Sequence, residues 1–393
     1  MRIEQYSALR TPPDRNAIQE PGRAHSALLR VLIVAEGSGG HLIPALQTAH
    51  TLGASGATVR CWYAPRPQTA GLLAELVSTE SAKQIHLEPM PISSTGGRPR
   101  GLLWRLWQMK RLWRTAQAQF RTFQPHVVVG FGGWISVPVL LAARQAGLPT
   151  LIHEQNASLG RANRLLRPWV TLLALSFPKD DVKPPTVLTG LPTRQAIGQV
   201  SRQEAANELG CRADLPTVLI VGGSQGSHAV NQLVCLMAER LTEQERRGWQ
   251  LLHLTGPGSQ EEVEGAYRRA GVQAVVRPYL AEMAVAYAAA DVVISRAGAS
   301  TIAELARCGL PGVLIPYPYA GGHQRHNARL VEVLGGGVRL EESQVQPDQL
   351  LGVVRQLLSD ARLRRMMGQQ MRTLAQPDAA GRLADVILRI ATC

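Results

Sequence analysis

Between Glu36 and His50 the chain reads EGSGGHLIPALQTAH. Three glycines surround Ser38, an imidazole follows at His41, and Pro44 opens an apolar helical pattern. Glycine lets backbone approach a ligand closely, and the free N–H groups of a helix start attract anions. An imidazole there is a candidate general base, because the positive helix end disfavours a protonated ring. A capping or surface histidine is the plainer alternative.

Three more glycine segments share this setting. Gly130, Gly132 and Gly133 follow HVVV, Gly222, Gly223 and Gly226 follow TVLIV, and Gly298 follows DVVIS. One such loop is satisfied by a tight turn; four, two in each half, point to a phosphate-bearing ligand. A dinucleotide dehydrogenase fits poorly. GSGGH lacks the GxGxxG spacing, and WYAPR after the second strand holds no acidic residue for a ribose.

Other polar groups end buried-looking strands. HEQN (153–156) offers Asn156 to a sugar hydroxyl or amide, and Glu154 to orient neighbours. In RAGASTIAELARCGLP (296–311), Ala299, Ser300 and Thr301 open a helix with Glu304 one turn on. A carboxylate there can accept two hydrogen bonds from a vicinal diol such as ribose; a dipole-favoured or capping Glu is the alternative. PYPYAGGHQRHNA (316–328) places Gln324 as a hydroxyl reader, with His326 and Asn327 structural.

These residues need elements to hold them. Runs at 28–36, 58–64, 84–89, 126–131, 149–154 and 170–175 read as strands separated by helical patterns. The grammar restarts after TVLTGLPTR (186–194), with strands at 216–221, 249–256, 274–279, 291–298 and 312–318. The expected fold is α/β: two Rossmann-like parallel-sheet domains facing a deep cleft. The expected division is a loose extension over 1–27, a first domain over 28–190, a second over 191–377, and a final helix over 378–393 packing back on the first. The expected hinge lies near 188–200.

At 393 residues, with 45% hydrophobic and 18% charged residues, the chain suits two or three packed domains. Its +13 charge is uneven: residues 1–190 hold 21 Lys+Arg against 10 Asp+Glu, and 191–393 hold 21 against 19. The first half therefore attracts anions: nucleic acid, anionic lipid or phosphorylated substrate. Five scattered cysteines favour free thiols. No Cys/His cluster has metal-ligand spacing, so neither metal nor cofactor is expected. No run of 18 apolar residues predicts a spanning helix. RGLLWRLWQMKRLWR (100–114) predicts an amphipathic helix, with Leu102, Leu106, Met109 and Trp113 as its core stripe. Leu103 and Trp107 form a second ridge beside Lys110, Arg111 and Arg114, suited to an anionic membrane surface. A helix buried on two sides is the alternative.

The set GSGGHLIPAL, GFGGWISVPVLLAA, LPTLIHEQNASLGRANRLL, TGLPTR, VGGSQGSHAVN, LTGPG, MAVAYAAADVVISRAGASTIAELARCGLP and PYPYAGGHQRHNA resembles the MurG family. These are family-28 glycosyltransferases of bacterial peptidoglycan synthesis. The resemblance runs in family order over about 30–330. It implies the GT-B fold and transfer of GlcNAc from UDP-GlcNAc to undecaprenyl-pyrophosphoryl-MurNAc-pentapeptide (lipid I), giving lipid II. By similarity, Ser38, Gly39 and Gly40 approach donor and acceptor phosphates, and Asn156 and Gln324 contact the sugar. Arg194 and Ser224 lie near the nucleotide and its phosphates, and Leu280 offers backbone to uracil. Ala299, Ser300, Thr301, Ile302, Ala303 and Glu304 line the ribose and phosphate pocket. The resemblance implies a peripheral enzyme on the cytoplasmic face of the plasma (inner) membrane, with cell-wall synthesis or division proteins as possible partners. Departures are Glu36 and Ser38 for the usual Gly and Thr, Leu191 for Asn, and Ala281–Glu282 for an Asp pair.

The implied chemistry is one inverting displacement, with neutral His41 taking the proton of the MurNAc 4-hydroxyl. Among rivals, a galactosyltransferase acting on diacylglycerol would share the nucleotide half, but HEQN and GFGGW favour the peptidoglycan enzyme. Against a non-catalytic sugar-nucleotide binder stand His41, Glu304 and Gln324. Nucleic-acid binding would leave the glycine loops unused.

Overall fold

The structure is a computed structural model and describes residues 29–66, 69, 84–91, 101–179, 185–223 and 225–392. Within them the chain forms two compact units, the first ending its main span at Thr189. The first unit lacks Gln155–Gly160, which cluster with the second, and it regains the chain from Ala380 onward.

The first unit holds a seven-stranded sheet: β1 (Arg30–Ala35), β2 (Thr58–Tyr63), β3 (Ile85–Pro89), β4 (Val127–Gly130), β5 (Thr150–Glu154), β6 (Leu172–Leu175) and β7 (Thr186–Leu188). Their order is β3-β2-β1-β4-β5-β6-β7. The second unit holds a six-stranded sheet: β8 (Thr217–Val221), β9 (Gln250–Leu254), β10 (Ala274–Arg277), β11 (Val292–Ser295), β12 (Gly312–Leu314) and β13 (Gly337–Arg339), in the order β10-β9-β8-β11-β12-β13. Every pair is parallel. Sheets of this kind are covered on both faces, so their inner strands read as unbroken apolar runs rather than alternating ones. VLIVA of β1, VVVG of β4, TVLIV of β8 and VVIS of β11 are buried at every position.

Strand order reverses at β1/β4 in the first sheet and at β8/β11 in the second. These are the topological switch points, where a crevice opens at the strands' carboxyl ends. The four glycine segments follow these four strands, so each sheet brings two of them side by side. β7 and β13 were not read from the sequence. Each has three residues and lies at a sheet edge, too short to carry a periodic signal.

One expected feature of packing differs from what is found. On the helix Leu102–Phe123 the buried face is Gln108, Leu112, Ala116, Phe120 and Phe123, whereas Leu106 of the expected core stripe is exposed. The apolar residues on both sides of the helix start made the stripe ambiguous, and the packing of its second half decides the rotation. On the helix Ala379–Thr392, Leu383, Ala384 and Ile387 enter the first unit's core beside Val31, Ile33, Leu42 and Leu46.

Candidate active site

In the first unit, Gly37 ends the turn after β1. A Cβ there would meet the Ala64 carbonyl at 1.9 Å, so only glycine fits. The helix Gly39–Ala54 then begins, with the Ser38 carbonyl accepting from the N–H groups of His41 and Leu42 at 3.0 and 2.9 Å. Ser38 sits at the N-cap but its hydroxyl caps no backbone group. It lies 2.8 Å from His41 Nδ1 instead. A hydroxyl can donate or accept, so this contact fits either ring tautomer; where Nδ1–H donates to Oγ, the Nε2 lone pair is the basic one. Gly39 and Gly40 form the first turn, and a Cβ on Gly40 would meet nothing within 4 Å.

Glu36 pairs with Arg66 Nη2 at 2.7 Å and lies against Gly133, whose φ is +80°. The carboxylate thus sits between the glycine turns after β1 and β4. His153 is buried against Phe131, the two rings tilted by 36° with centroids 5.2 Å apart. Glu154 is buried and accepts from Asn163 Nδ2 at 2.9 Å. Asn156 belongs to the segment that clusters with the second unit, and its Oδ1 accepts from Asn327 Nδ2 at 3.1 Å.

In the second unit, the loop after β8 and the loop after β9 interlock through glycine. A Cβ on Gly226 (φ +72°) would stand 2.2 Å from the Thr255 carbonyl, and one on Gly256 (φ +82°) 2.4 Å from Gly226 Cα. Behind them Asn231 donates to the Thr255 carbonyl at 2.9 Å, and its Oδ1 lies 3.1 Å from His253 Nε2. That Oδ1 can only accept, so Nε2 carries the ring proton and Nδ1 accepts from the Tyr267 hydroxyl at 2.6 Å. Burial pushes the His253 pKa down to about 3, so the ring stays neutral. Ser224 lies outside the described residues.

After β11 comes Arg296, which sequence reasoning missed. Its guanidinium is buried, donates to Ser227 Oγ at 2.6 Å and the Ile315 carbonyl at 3.2 Å, and pairs with Glu342. The helix Ala299–Cys308 follows. Ala299 is buried, Thr301 and Ala303 are half-buried, and the fully buried Ile302 could meet a ligand only through backbone. The Ser300 hydroxyl is buried at this helix start and makes no hydrogen bond among the described residues.

Glu304 is buried and accepts from the Tyr287 hydroxyl at 2.8 Å. Burial raises its pKa, while the Tyr287 hydrogen bond and the Arg194 charge pull it back. Tyr287 was also missed, because nothing in MAVAYAAA marks one aromatic as polar-facing. Arg194 is held by its backbone. Arg307 Nη1 approaches the Arg194 carbonyl at 3.4 Å and Thr193 Oγ1 at 3.2 Å, and Nη2 donates to the Gln195 carbonyl at 2.9 Å. Gln324 Oε1 accepts from the N–H groups of Ala297 and Tyr317 at 3.1 and 2.9 Å, which fixes the amide and leaves Nε2 as its donor for a ligand. Leu280 is half-buried just past β10. The residues expected around the donor, Ser224 apart, therefore stand at strand carboxyl ends, on the helices those ends feed, or in the segments packed beside them.

The residues expected at a membrane lie elsewhere. Leu103 and Trp107 are exposed, and Arg111 stands 5.6 Å over the Trp107 ring, with Lys110 and Arg114 also exposed. The helix Leu102–Phe123 packs on the helix Ser136–Gln145, and that on Arg161–Leu166. Along this row Trp134, Leu165 and Trp169 are also exposed. They were missed because each stands alone in its segment. No described helix is long and apolar enough to cross a membrane.

The description "Glycosyltransferase family 28 N-terminal domain" matches residues 31–174, and "Glycosyltransferase family 28 C-terminal domain" matches 217–383. The chain belongs to glycosyltransferase family 28. A relative from Desulforamulus reducens is 35% identical over 375 residues, covering 91% of this chain and 97% of its own length. It is named UDP-N-acetylglucosamine--N-acetylmuramyl-(pentapeptide) pyrophosphoryl-undecaprenol N-acetylglucosamine transferase. A relative of the same name from Xanthomonas axonopodis pv. citri is 37% identical, covering 95% of this chain and 85% of its own length. The crystal structure of Acinetobacter baumannii MurG is similar with a TM-score of 0.74 and 28% identity, covering 92% of this chain and 99% of that one. A kitacinnamycin glycosyltransferase, at TM-score 0.65 and 18% identity, shares the fold.

The family's glycines separate into two kinds here, and substitution tells them apart. Gly226→Ala forces a side chain into left-handed backbone and against a carbonyl, and should cost about 2 kcal/mol or more in chemical denaturation. Gly40→Ala, in open space on a helix, should be neutral or stabilising by up to about 1 kcal/mol.

Proposed function

We propose that this protein transfers GlcNAc from UDP-GlcNAc to the MurNAc 4-hydroxyl of lipid I, forming lipid II. The observation that carries this reading is the match along both halves to relatives that bear the name of that reaction, at 35% and 37% identity.

The second unit holds the donor. Leu280 offers backbone to uracil, and Glu304 accepts from the ribose diol. Arg194, Ser224 and the helix start from Ala299 to Glu304 take the diphosphate. Asn156 and Gln324 read the sugar. The first unit supplies the base, with Ser38, Gly39 and Gly40 near phosphates. His41 Nε2 takes the 4-hydroxyl proton as that oxygen bonds to the anomeric carbon. The bond from that carbon to the phosphate oxygen breaks, and UDP leaves with the electron pair. The developing charge meets helix starts and loop N–H groups. The Ser38 hydroxyl, 2.8 Å from His41 Nδ1, supports this as the group that can accept the Nδ1 proton and leave Nε2 basic.

The lipid-linked acceptor requires a membrane surface. The basic and aromatic row from Leu103 to Trp169 supports a peripheral position on anionic lipid, at the cytoplasmic face of the plasma membrane.

Four measurements test the reading: label transfer, the kinetics of a base variant, donor affinity against pH, and vesicle flotation. Radiolabelled UDP-GlcNAc incubated with a lipid I analogue should put label into lipid. His41→Ala should lower kcat by about 10² to 10⁴ with little change in donor KM. Unlabelled lipid with the native chain would reject the function, and an unchanged kcat in the variant would reject the base. Donor affinity should fall on acidification, because a protonated Glu304 loses an acceptor for the diol. The fall should come at higher pH than an ordinary carboxylate gives, since burial raises this group. Tyr287→Phe removes a bond that favours the carboxylate and should move the fall higher still. Lastly, flotation with anionic vesicles should weaken in Trp107→Ala combined with Arg111→Ala; equal binding would remove this helix from the membrane contact.

A further inference from the structure

Asn327, on the helix His323–Val333, is fully buried and has its whole amide engaged. Its Oδ1 accepts from the Ala157 N–H at 2.8 Å. Its Nδ2 donates to the Ala297 carbonyl at 3.0 Å and to Asn156 Oδ1 at 3.1 Å. Two donors and one acceptor are thereby used. One side chain joins the end of β11, its own helix, and the segment Gln155–Gly160, which lies 170 residues earlier in the chain.

The two bonds to that segment act differently. The bond to Ala157 fixes the backbone. The bond to Asn156 fixes which way its amide is flipped, because Asn327 can only donate there. A second tie, Ser158 Oγ to His323 Nδ1 at 3.3 Å, holds the same segment to the same helix. Ala297 meanwhile gives its N–H to Gln324 Oε1 and its carbonyl to Asn327. The amides of Asn156 and Gln324 are therefore both registered to one peptide, Gln324 directly and Asn156 through Asn327.

We propose that Asn327 is a positioning residue for the sugar subsite: it sets the Asn156 amide in register with Gln324, so that the pair distinguishes the hydroxyl configuration of the transferred hexosamine. This rests on the donor reading above. A buried asparagine serving only the fold would influence nucleotide and sugar alike. A register device affects the sugar alone, and only through Asn156.

The test compares binding of UDP, UDP-GlcNAc and its C4 epimer UDP-GalNAc by calorimetry. The full chain is used, as the native protein, Asn156→Ala, Asn327→Asp and the double variant. Asn327→Asp keeps the acceptor for Ala157 but loses the donors to Asn156 and Ala297. It should weaken UDP-GlcNAc about tenfold, leave UDP within about twofold, and reduce discrimination against UDP-GalNAc. The double variant should bind UDP-GlcNAc within about twofold of Asn156→Ala, because both changes remove one interaction. Equal losses for UDP and UDP-GlcNAc, or multiplicative losses in the double variant, would overturn the proposal. Should Asn327→Asp not fold, Asn327→Ser takes its place under the same criteria. A native chain that binds neither UDP-GlcNAc nor UDP would instead reject the donor reading itself.

Discussion

In both sheets every strand pairs in parallel, and parallel pairing sends all carboxyl ends to one edge. The chain returns through a helix after most of the strands, so those carboxyl ends lead toward helix starts with unsatisfied N–H groups. Where strand order reverses, two such ends diverge and leave room for a ligand. The glycine turns, the Ser38–His41 pair, the buried Ser300 hydroxyl and the Gln324 amide all owe their placement to this single geometric requirement. Remove the parallel register and none of them would stand at a crevice.

The polar groups behind the edge are held by shared partners rather than by isolated bonds. A buried guanidinium is costly unless its donors are met, and Arg296 meets them with a hydroxyl, a carbonyl and a carboxylate from three different segments. Glu304 is tolerated because Tyr287 donates to it and Arg194 lies close. In the same way His253 is buried neutral between Asn231 and Tyr267. Such satisfied networks resist rearrangement, which suits loops that must present fixed donors to a ligand.

The glycine segments, Glu304 and Gln324 were legible because each is local: strand, turn and helix start follow within a dozen residues. The same holds for most strands, whose apolar runs are set by burial on both faces. Asn327, Tyr287 and Arg296 were not legible in their roles, since their partners lie between 17 and 171 positions away. β7 and β13 exist because a neighbouring edge was open to pair with, a fact absent from their own three residues. The rotation of the helix Leu102–Phe123 was misread because its first turns are apolar on more than one side. Gln108, a polar residue, ended up on its buried face.

On the proposed function, the switch-point edge of the second unit grips a sugar nucleotide through these groups. A crystal structure with UDP-GlcNAc tests it most directly. Ribose hydroxyls are expected within hydrogen-bond distance of Glu304, diphosphate oxygens at the starts of the helices after β8 and β11, and the GlcNAc ring at Gln324. A nucleotide bound at the opposite edge of that sheet, or a ribose remote from Glu304, would contradict it.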